Sequence, residues 1–252
     1  MDVSTSRRRP PHRLSTIRWV LLAPGQRLPC AARPELLDLP GVDPADLRGN
    51  LADLTRVNRL LGGASLTRRA LARLVDDGPV RMLDIGTGAA DIPAAAVAWS
   101  PHRGRALRVV GVDRSLPILR AARGVAPHIP LAAADGRALP FRTDAFDVAH
   151  CSLVLHHLDP ADAVPFLAEM ARVARRGVIV NDLVRSRVGS AGAWLLAHLA
   201  TRNPLTRHDA PLSARRAYTL AEIGDLMAAA GLRVLATERA LGYRAAVIGV
   251  TP

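Results

Sequence analysis

From residue 80 onwards, short apolar runs alternate with amphipathic segments. The apolar runs predict strands, listed here in chain order: 80–85, 108–113, 130–134, 146–151 and 177–181. Helical periodicity predicts helices between them, near 91–99, 115–123 and 160–175. An amphipathic helix closed by Gly231 is expected over Thr219–Ala230, and a strand pair over 232–236 and 245–250. The alternation predicts an α/β fold with a mostly parallel sheet and helices on both faces.

The chain before residue 80 divides into two parts. Residues 1–33 are rich in arginine and proline without a steady period, so we expect a disordered basic tail. Residues 34–78 look helical, with one helix running from Asp43-Pro44 towards Leu61 and a second over Leu66–Val75. We therefore expect one domain over 34–252, in which the helical extension 34–78 precedes a core at 79–252.

Composition narrows the choice of partners. The net charge is +12, but residues 1–34 carry seven arginines and one acid, so half of the charge belongs to the tail. With 3% aromatic residues there are few platforms for stacking bases, and we expect no nucleic-acid partner. No uncharged apolar run reaches about 18 residues, so stable membrane insertion is not expected. Cys30 and Cys151 have no metal or redox spacing, which favours a reduced, cytoplasmic protein without a metal.

The stretch Val80–Pro93, VRMLDIGTGAADIP, carries the main chemical signal. A predicted strand breaks into Gly86-Thr87-Gly88, and glycines there let a ligand approach the backbone closely. In a dinucleotide fingerprint the third glycine would fall at Asp91, where a carboxylate would repel a pyrophosphate. Asp91 is instead expected to cap the next helix. A carboxylate at Asp84 suits a ligand that has a cationic amine and no phosphate, such as S-adenosylmethionine (SAM).

This stretch resembles motif I of the class I SAM-dependent methyltransferases, an acid-x-G-x-G-x-G pattern in which Ala90 replaces the third glycine. The resemblance implies a Rossmann-like fold with a seven-stranded, mostly parallel sheet and SAM as the cofactor. It also implies that the methionine end of SAM is held by the acid and the turn: Asp84, Gly86, Thr87 and Gly88.

Two further acids stand at the carboxyl ends of the second and third predicted strands: Asp113 ends the second, and Asp135 directly follows the third. Asp113 can accept hydrogen bonds from ribose hydroxyls, or it can cap the next helix, for which Ser115 is the better candidate. Asp135 can accept from the adenine amine. We assign Arg114 and Gly136, which follow these acids, to the same cofactor site.

The pattern D-x-x-x-L-P-F from Asp135 and the D-x-F-D over 144–147 closely resemble methyltransferases of the ubiquinone/menaquinone-biosynthesis type.

After the fourth strand comes SLVLHHL, which begins with Ser152, a further cofactor candidate. In the family this loop faces the transferable methyl, and the N-P-P-Y-like sequence of nucleic-acid amino-methyltransferases is missing. His156 or His157 can take the proton of a phenol, with His156 slightly favoured. In the alternative interpretation, one histidine caps the next helix and the other packs in the core.

The fifth strand ends in Asn181 and Asp182, which we expect at the mouth of the cleft. The segment 187–208 has no acid and contains AGAWLLAHLAT, a mostly apolar helix that carries Trp194 and His198. We expect it to cover a flat acceptor, and the alternative is a surface helix without substrate contact. The C-terminal half, with HHL, VNDLVRSR and RRAYT, resembles small methyltransferases found beside type III polyketide synthases.

The sequence thus predicts methyl transfer from SAM to a small-molecule acceptor, on an oxygen of a phenolic or quinone-like polyketide, by a monomer or homodimer. C-methylation of a quinone or isoprenoid-type acceptor is the close rival. Three other classes stay open: an RNA methyltransferase, a NAD(P)-dependent oxidoreductase, and a SAM-binding protein without catalysis.

Overall fold

The computed structural model describes residues 25–75, 78–100 and 106–251. Seven strands lie in this part of the chain: β1 (Val80–Ile85), β2 (Leu107–Asp113), β3 (Leu131–Ala133), β4 (Phe146–Ser152), β5 (Ala174–Leu183), β6 (Arg233–Ala240) and β7 (Arg244–Val250). Eight α-helices accompany them: α1 (Pro44–Leu60), α2 (Gly63–Leu74), α3 (Asp91–Trp99), α4 (Leu116–Val125), α5 (Pro160–Val173), α6 (Arg187–Ala200), α7 (Pro204–Arg216) and α8 (Leu220–Ala229).

All seven strands form one sheet in the order β3-β2-β1-β4-β5-β7-β6. The first five strands in this order are parallel, while β7 is antiparallel to both β5 and β6. From β1 the chain first adds β2 and β3 on one side of the sheet and then returns to add β4 and β5 on the other side. The order of strand addition therefore reverses between β1 and β4. In open α/β sheets, ligands bind at such a point, outside the carboxyl ends of the strands.

Alternating residues of the strands supply two hydrophobic cores. Leu83 of β1 packs with apolar residues of α5 and α8 on one face, and Met82 packs with α2, α3 and α4 on the other. The predicted α/β architecture with helices on both faces is therefore confirmed. No helix of the described segments is both long and apolar enough to cross a membrane.

Most predicted elements occur within a few residues of their expected bounds. Thr219 caps α8 in a capping box with Glu222, and Gly231 follows the helix at φ +78°. The second predicted helix starts earlier than expected, at Gly63, because Gly62 takes a left-handed conformation. Helix α7 is an element that the sequence analysis did not predict, although Asn203 caps it and Pro204 begins it.

Residues 25–38 lie across the carboxyl end of the sheet, and we call this segment the strap. Arg27 forms an ion pair of 2.6 Å with Asp159 and donates to the carbonyl oxygen of Leu158. Farther along, Asp209 of α7 accepts from the backbone of Leu36 and Leu37. The last nine residues of the predicted disordered tail, 25–33, are therefore part of the structured chain. Its residues 1–24 lie outside the described residues.

Candidate active site

A cavity of about 1430 Å³ opens at the carboxyl ends of the parallel strands. Its walls come from the glycine turn after β1, the strand ends, helices α1 and α6, and the strap. This volume exceeds the 300–1,000 Å³ that are typical of small-molecule sites, so two ligands have room side by side. Eleven of the fifteen predicted site residues line it: Asp84, Gly86, Thr87, Gly88, Asp113, Arg114, Asp135, Gly136, Ser152, His156 and His157.

The turn after β1 has the close-approach geometry that the sequence predicts. Gly86 and Gly88 have φ values of +67° and +55°, which glycine adopts without strain. A side chain at Gly86 would collide with Val154, whereas one at Gly88 would meet nothing within 4 Å. Open space therefore lies in front of the backbone at Gly88, where a ligand can approach.

The prediction that Asp91 caps α3 is wrong. Ala90 holds the cap position at φ +57° without a side-chain bond, and Asp91 is the first helical residue. The Asp91 carboxylate instead accepts a hydrogen bond of 3.0 Å from Asn58 Nδ2. Burial raises the pKa of Asp91, and the bond from Asn58 opposes that rise.

Asp113, at the end of β2, connects the glycine turn after β1 to the segment before α4 by hydrogen bonds. Its carboxylate accepts from the backbone N–H of Gly88 at 3.2 Å and of Ser115 at 2.9 Å. Burial raises its pKa, although both N–H groups favour the charged form. Ser115, not Asp113, caps α4 by accepting from Ile118. Asp113 is thus free to present its outer edge to the cavity.

The candidate residues that follow β2 and β3 are more exposed than Asp84 and Asp113. Arg114 donates to Asp38 of the strap at 2.9 Å. Asp135 pairs with Arg137 at 2.9 Å, and this pairing lowers the pKa of Asp135 to about 2. A side chain at Gly136 would lie 2.6 Å from Phe166, so the glycine lets this loop pack onto α5.

His156 and Asp182 form a buried pair. His156 Nδ1 lies 2.7 Å from Asp182 Oδ1, and the backbone N–H of His156 donates to Asp182 Oδ2 at 3.1 Å. A carboxylate only accepts, so Nδ1 carries the hydrogen and Nε2 is left to take a proton. Although burial opposes it, the interaction with His156 lowers the pKa of Asp182. His156 lines the cavity and Asp182 does not.

His157 lies between two acids of the strap. Its Nδ1 is 3.1 Å from Asp38 Oδ2, and its Nε2 is 3.7 Å from Glu35 Oε2. Burial favours the neutral ring, but the two acids raise the pKa of His157 to about 9. Glu35 also forms an ion pair with Arg216, in which Oε1 lies 3.1 Å from Nη1. In the described part of the chain, Glu35, His156 and His157 bring one possible metal-ligand atom each within 4.8 Å of one another.

The expectation that Asn181 and Asp182 face the mouth of the cleft is wrong. Both side chains are buried and neither lines the cavity. Asn181 donates to Gly63 and Thr67 and accepts from Arg244, so it joins β5 to α2 and β7. Strand β5 extends to Leu183, which places both residues within the sheet and not after it.

Helix α6 covers the cavity, as predicted, but the face that carries Trp194 and His198 points away from it. Trp194 is 53% exposed and stacks on His198 at a ring distance of 4.5 Å, and neither residue lines the cavity. The proposed contacts of these two residues with the acceptor are therefore wrong. The cavity face of α6 is formed by small or aliphatic residues: Val188, Gly189, Gly192, Ala193, Leu196, Ala197 and Ala200.

Comparison with known proteins identifies the family. Residues 83–180 match the methyltransferase domain family. A demethylmenaquinone methyltransferase of Roseiflexus sp. (strain RS-1) is 34% identical over 185 residues, which cover 67% of this chain and 74% of that protein. The chain belongs to the class I SAM-dependent methyltransferases of the ubiquinone/menaquinone type. S-adenosyl-L-methionine is the cofactor of this family.

Two other similarities agree with this assignment. A demethylmenaquinone methyltransferase of Streptomyces avermitilis is 33% identical over 126 residues, 50% of this chain. That match spans about half, 51%, of the relative. The O-methyltransferase NcsB1 of neocarzinostatin biosynthesis, solved with SAM and 2-hydroxy-5-methyl naphthoic acid, shares the fold. Its TM-score is 0.61 at 21% identity, over 84% of this chain and 59% of that chain.

The residues present fit the cofactor of these methyltransferases. The cavity wall beside the glycine turn carries three carboxylates, Asp84, Asp91 and Asp113. Carboxylates attract a sulfonium and an ammonium and accept from ribose hydroxyls, whereas they would repel the pyrophosphate of a dinucleotide.

Sequence reasoning missed several cavity residues of this methyltransferase. Glu35 and Asp38 lie in the strap, before the first predicted helix of residues 34–78, where the apolar pattern marked no site residue. Arg244 had a usable signal: it begins the apolar strand RAAVIGV and is only 1% exposed. A charged residue in a buried strand is rare unless it is paired or binds a ligand.

Proposed function

We propose that this methyltransferase transfers the methyl group of SAM to a hydroxyl oxygen of a phenolic or quinone-like small molecule. The observation that carries the proposal is the His156–Asp182 pair at the cavity wall. A histidine so held can accept the proton that a hydroxyl loses when its oxygen attacks the methyl group.

The cofactor end of the cavity is assigned residue by residue. We propose that Asp84 faces the ammonium group, and that Gly86, Thr87 and Gly88 give room beside the turn. Asp113 accepts from the ribose hydroxyls, and Asp135 with Gly136 lies beside the adenine. Arg114 and Ser152 complete this set. The bound cofactor supplies an activated methyl group on a sulfonium.

Three features of the chain support the transfer step. Asp182 orients the His156 ring and stabilises the imidazolium that forms when Nε2 takes a proton. The strap and α6 form two walls of the cavity, and an acceptor bound between them would displace water, which strengthens these electrostatic interactions. His157 is charged at neutral pH and lies between two acids, so we assign it to holding the strap over the acceptor. That assignment departs from the expectation that it shares the base role.

The acceptor space is apolar. Leucines of α1, including Leu51 and Leu54, line the cavity together with the small residues of α6. A planar aromatic ring fits between such walls, with its hydroxyl at the His156 end. The volume that SAM leaves free also admits an apolar substituent on the ring.

C-methylation of a quinone-type ring is the second candidate. It is favoured by the printed activity of the curated relatives, which are demethylmenaquinone methyltransferases. The same proton acceptor serves either reaction, because a phenolate is nucleophilic at its oxygen and at its ring carbons.

The test is an assay of purified protein with methyl-deuterated SAM and a panel of naphthols, hydroquinones and alkylresorcinols. A mass increase that depends on the enzyme supports methyl transfer, and the position of the label by NMR separates O- from C-methylation. Binding of SAM without transfer to any member of the panel would count against the proposed activity.

A further inference from the structure

Arg244 is a buried cation whose hydrogen-bond partners are all neutral. Its Nε donates to Asn181 Oδ1 at 2.8 Å, Nη1 to Asn58 Oδ1 at 2.7 Å, and Nη2 to Ser152 Oγ at 2.7 Å. These three acceptors belong to β5, α1 and β4. The guanidinium is therefore fixed in position by three separate elements before any ligand binds.

No carboxylate of the described residues forms an ion pair with Arg244. Burial lowers the pKa of Arg244, and the neighbouring Tyr243, followed by the more distant charges of Asp182 and Asp91, opposes that change. A buried charge without a counter-ion is costly, and proteins retain such groups where a ligand supplies the opposite charge. Arg244 also lines the cavity, so an anion in the cavity can reach it.

The hydrogen-bond partners of Arg244 show at which end of the cavity an anion would meet it. Its partner Asn58 also donates to Asp91, five residues after Gly86. Its partner Ser152 ends the strand next to β1. Arg244 is thus at the glycine-turn end of the cavity, on the side that α1 and α2 cover.

A buried hydrogen-bonded chain connects Arg244 to Asp84. From Arg244 it passes through Asn181 to Thr67 Oγ1, which lies 2.8 Å from His150 Nε2. His150 Nδ1 lies 2.5 Å from Asp84 Oδ1. Because Asp84 only accepts, Nδ1 donates, and Nε2 then accepts from the Thr67 hydroxyl. One fixed network therefore presents an anion and a cation to the same end of the cavity.

We propose that Arg244 binds the α-carboxylate of SAM while Asp84, oriented by His150, faces the α-ammonium. The inference rests on the proposed function. SAM has one anionic group, the carboxylate of its amino-acid end, so a fixed guanidinium beside a fixed carboxylate matches that zwitterion. Arg244 is then a cofactor-binding residue on the antiparallel strand β7, outside the motif I stretch and the 83–180 match.

The experiment compares two ligands that differ only in this group. S-adenosylhomocysteine and its decarboxylated analogue, which lacks only the α-carboxylate, are titrated by calorimetry into wild type, Arg244→Met and Arg244→Lys. Arg233→Met serves as the control, because Arg233 is an exposed arginine on the adjacent strand β6.

We expect Arg244→Met to weaken binding of S-adenosylhomocysteine at least tenfold and to change binding of the analogue less than threefold. Arg244→Lys should recover part of the loss, and Arg233→Met should match wild type. Retained binding of the analogue shows that the cleft of each variant is folded.

Equal losses for both ligands would assign Arg244 a structural role and overturn the inference. Unchanged affinity of Arg244→Met for S-adenosylhomocysteine would also overturn the inference, even if the KM of the acceptor rose. If wild type binds neither ligand, the proposed function itself fails, and that result is distinct from both of these.

Discussion

His156 Nδ1 lies 2.7 Å from Asp182 Oδ1; both side chains are almost fully buried, and only His156 lines the cavity. The pair joins the segment after β4 to the end of β5. Asp182 therefore fixes both the ring orientation of His156 and the ring nitrogen, Nε2, that is left without a hydrogen.

Replacement of His156 by Gln should lower kcat about 10²–10⁴-fold, because the variant has no group that takes the acceptor proton. Asp182→Asn should lower kcat less, since the ring remains but its tautomer is no longer fixed. Affinity for S-adenosylhomocysteine should stay near wild type in both. His128→Gln, an exposed histidine outside the cavity, is the control. Wild-type turnover of His156→Gln at neutral pH would remove the histidine from the reaction.

Asp113→Asn should weaken binding of S-adenosylhomocysteine by roughly 2 kcal/mol, because charged hydrogen bonds to the ribose and to the Gly88 N–H are lost. Calorimetry measures the change directly. Asp225→Asn on α8, an exposed carboxylate outside the cavity, should bind like wild type. Equal affinity of Asp113→Asn and wild type would refute the ribose role.

The His157–Asp38 contact should make stability depend on pH. The pKa of His157 is raised from 6.5 to about 9. Its stabilising effect is thus fully present below about pH 6.5 and is lost as the pH rises towards 9. The pKa of Asp38 is lowered to about 2, so its effect is present above pH 3.8 and is lost as the pH falls.

Because a third of Asp38 is exposed, we expect a loss of roughly 1 kcal/mol between pH 6.5 and 9. Urea unfolding across this range measures it, and His157→Gln should lack this slope. The same slope in both proteins would show that the contact contributes nothing to folding.

Helix α6 provides a pair of neighbouring residues with opposite environments. Ala193 lines the cavity, whereas Trp194 is exposed on the other face. Ala193→Phe should raise the KM of the acceptor at least tenfold by filling its space, and leave binding of S-adenosylhomocysteine unchanged. Trp194→Ala should change neither. An effect of Trp194→Ala alone would return that residue to the acceptor site.

The sequence was informative where a local pattern has a local cause. The glycine turn after β1, Asp113 at the end of β2 and the Ser115 cap of α4 lie as predicted, because strand ends and caps are set by a few adjacent residues. Asp91 shows the limit of such reasoning, since the partner of its carboxylate, Asn58, lies 33 residues earlier.

The remaining site residues depend on packing between distant segments. Which face of α6 meets the cavity follows from its contact with α7, an element that the apolar pattern did not reveal. Asp182 looked like a residue of the cleft mouth, but the extended pairing of β5 with β7 places it behind His156. Glu35 and Arg244 are held in the site by contacts with Arg216 and Asn58, which lie 181 and 186 residues away from them in the chain.

Every assignment above depends on SAM binding at the acidic end of this cavity. Isothermal calorimetry with S-adenosylhomocysteine on the purified full chain tests it most directly. We expect binding at one site per chain, with no detectable heat from NAD or NADP. Binding of a dinucleotide without any binding of S-adenosylhomocysteine would contradict the account.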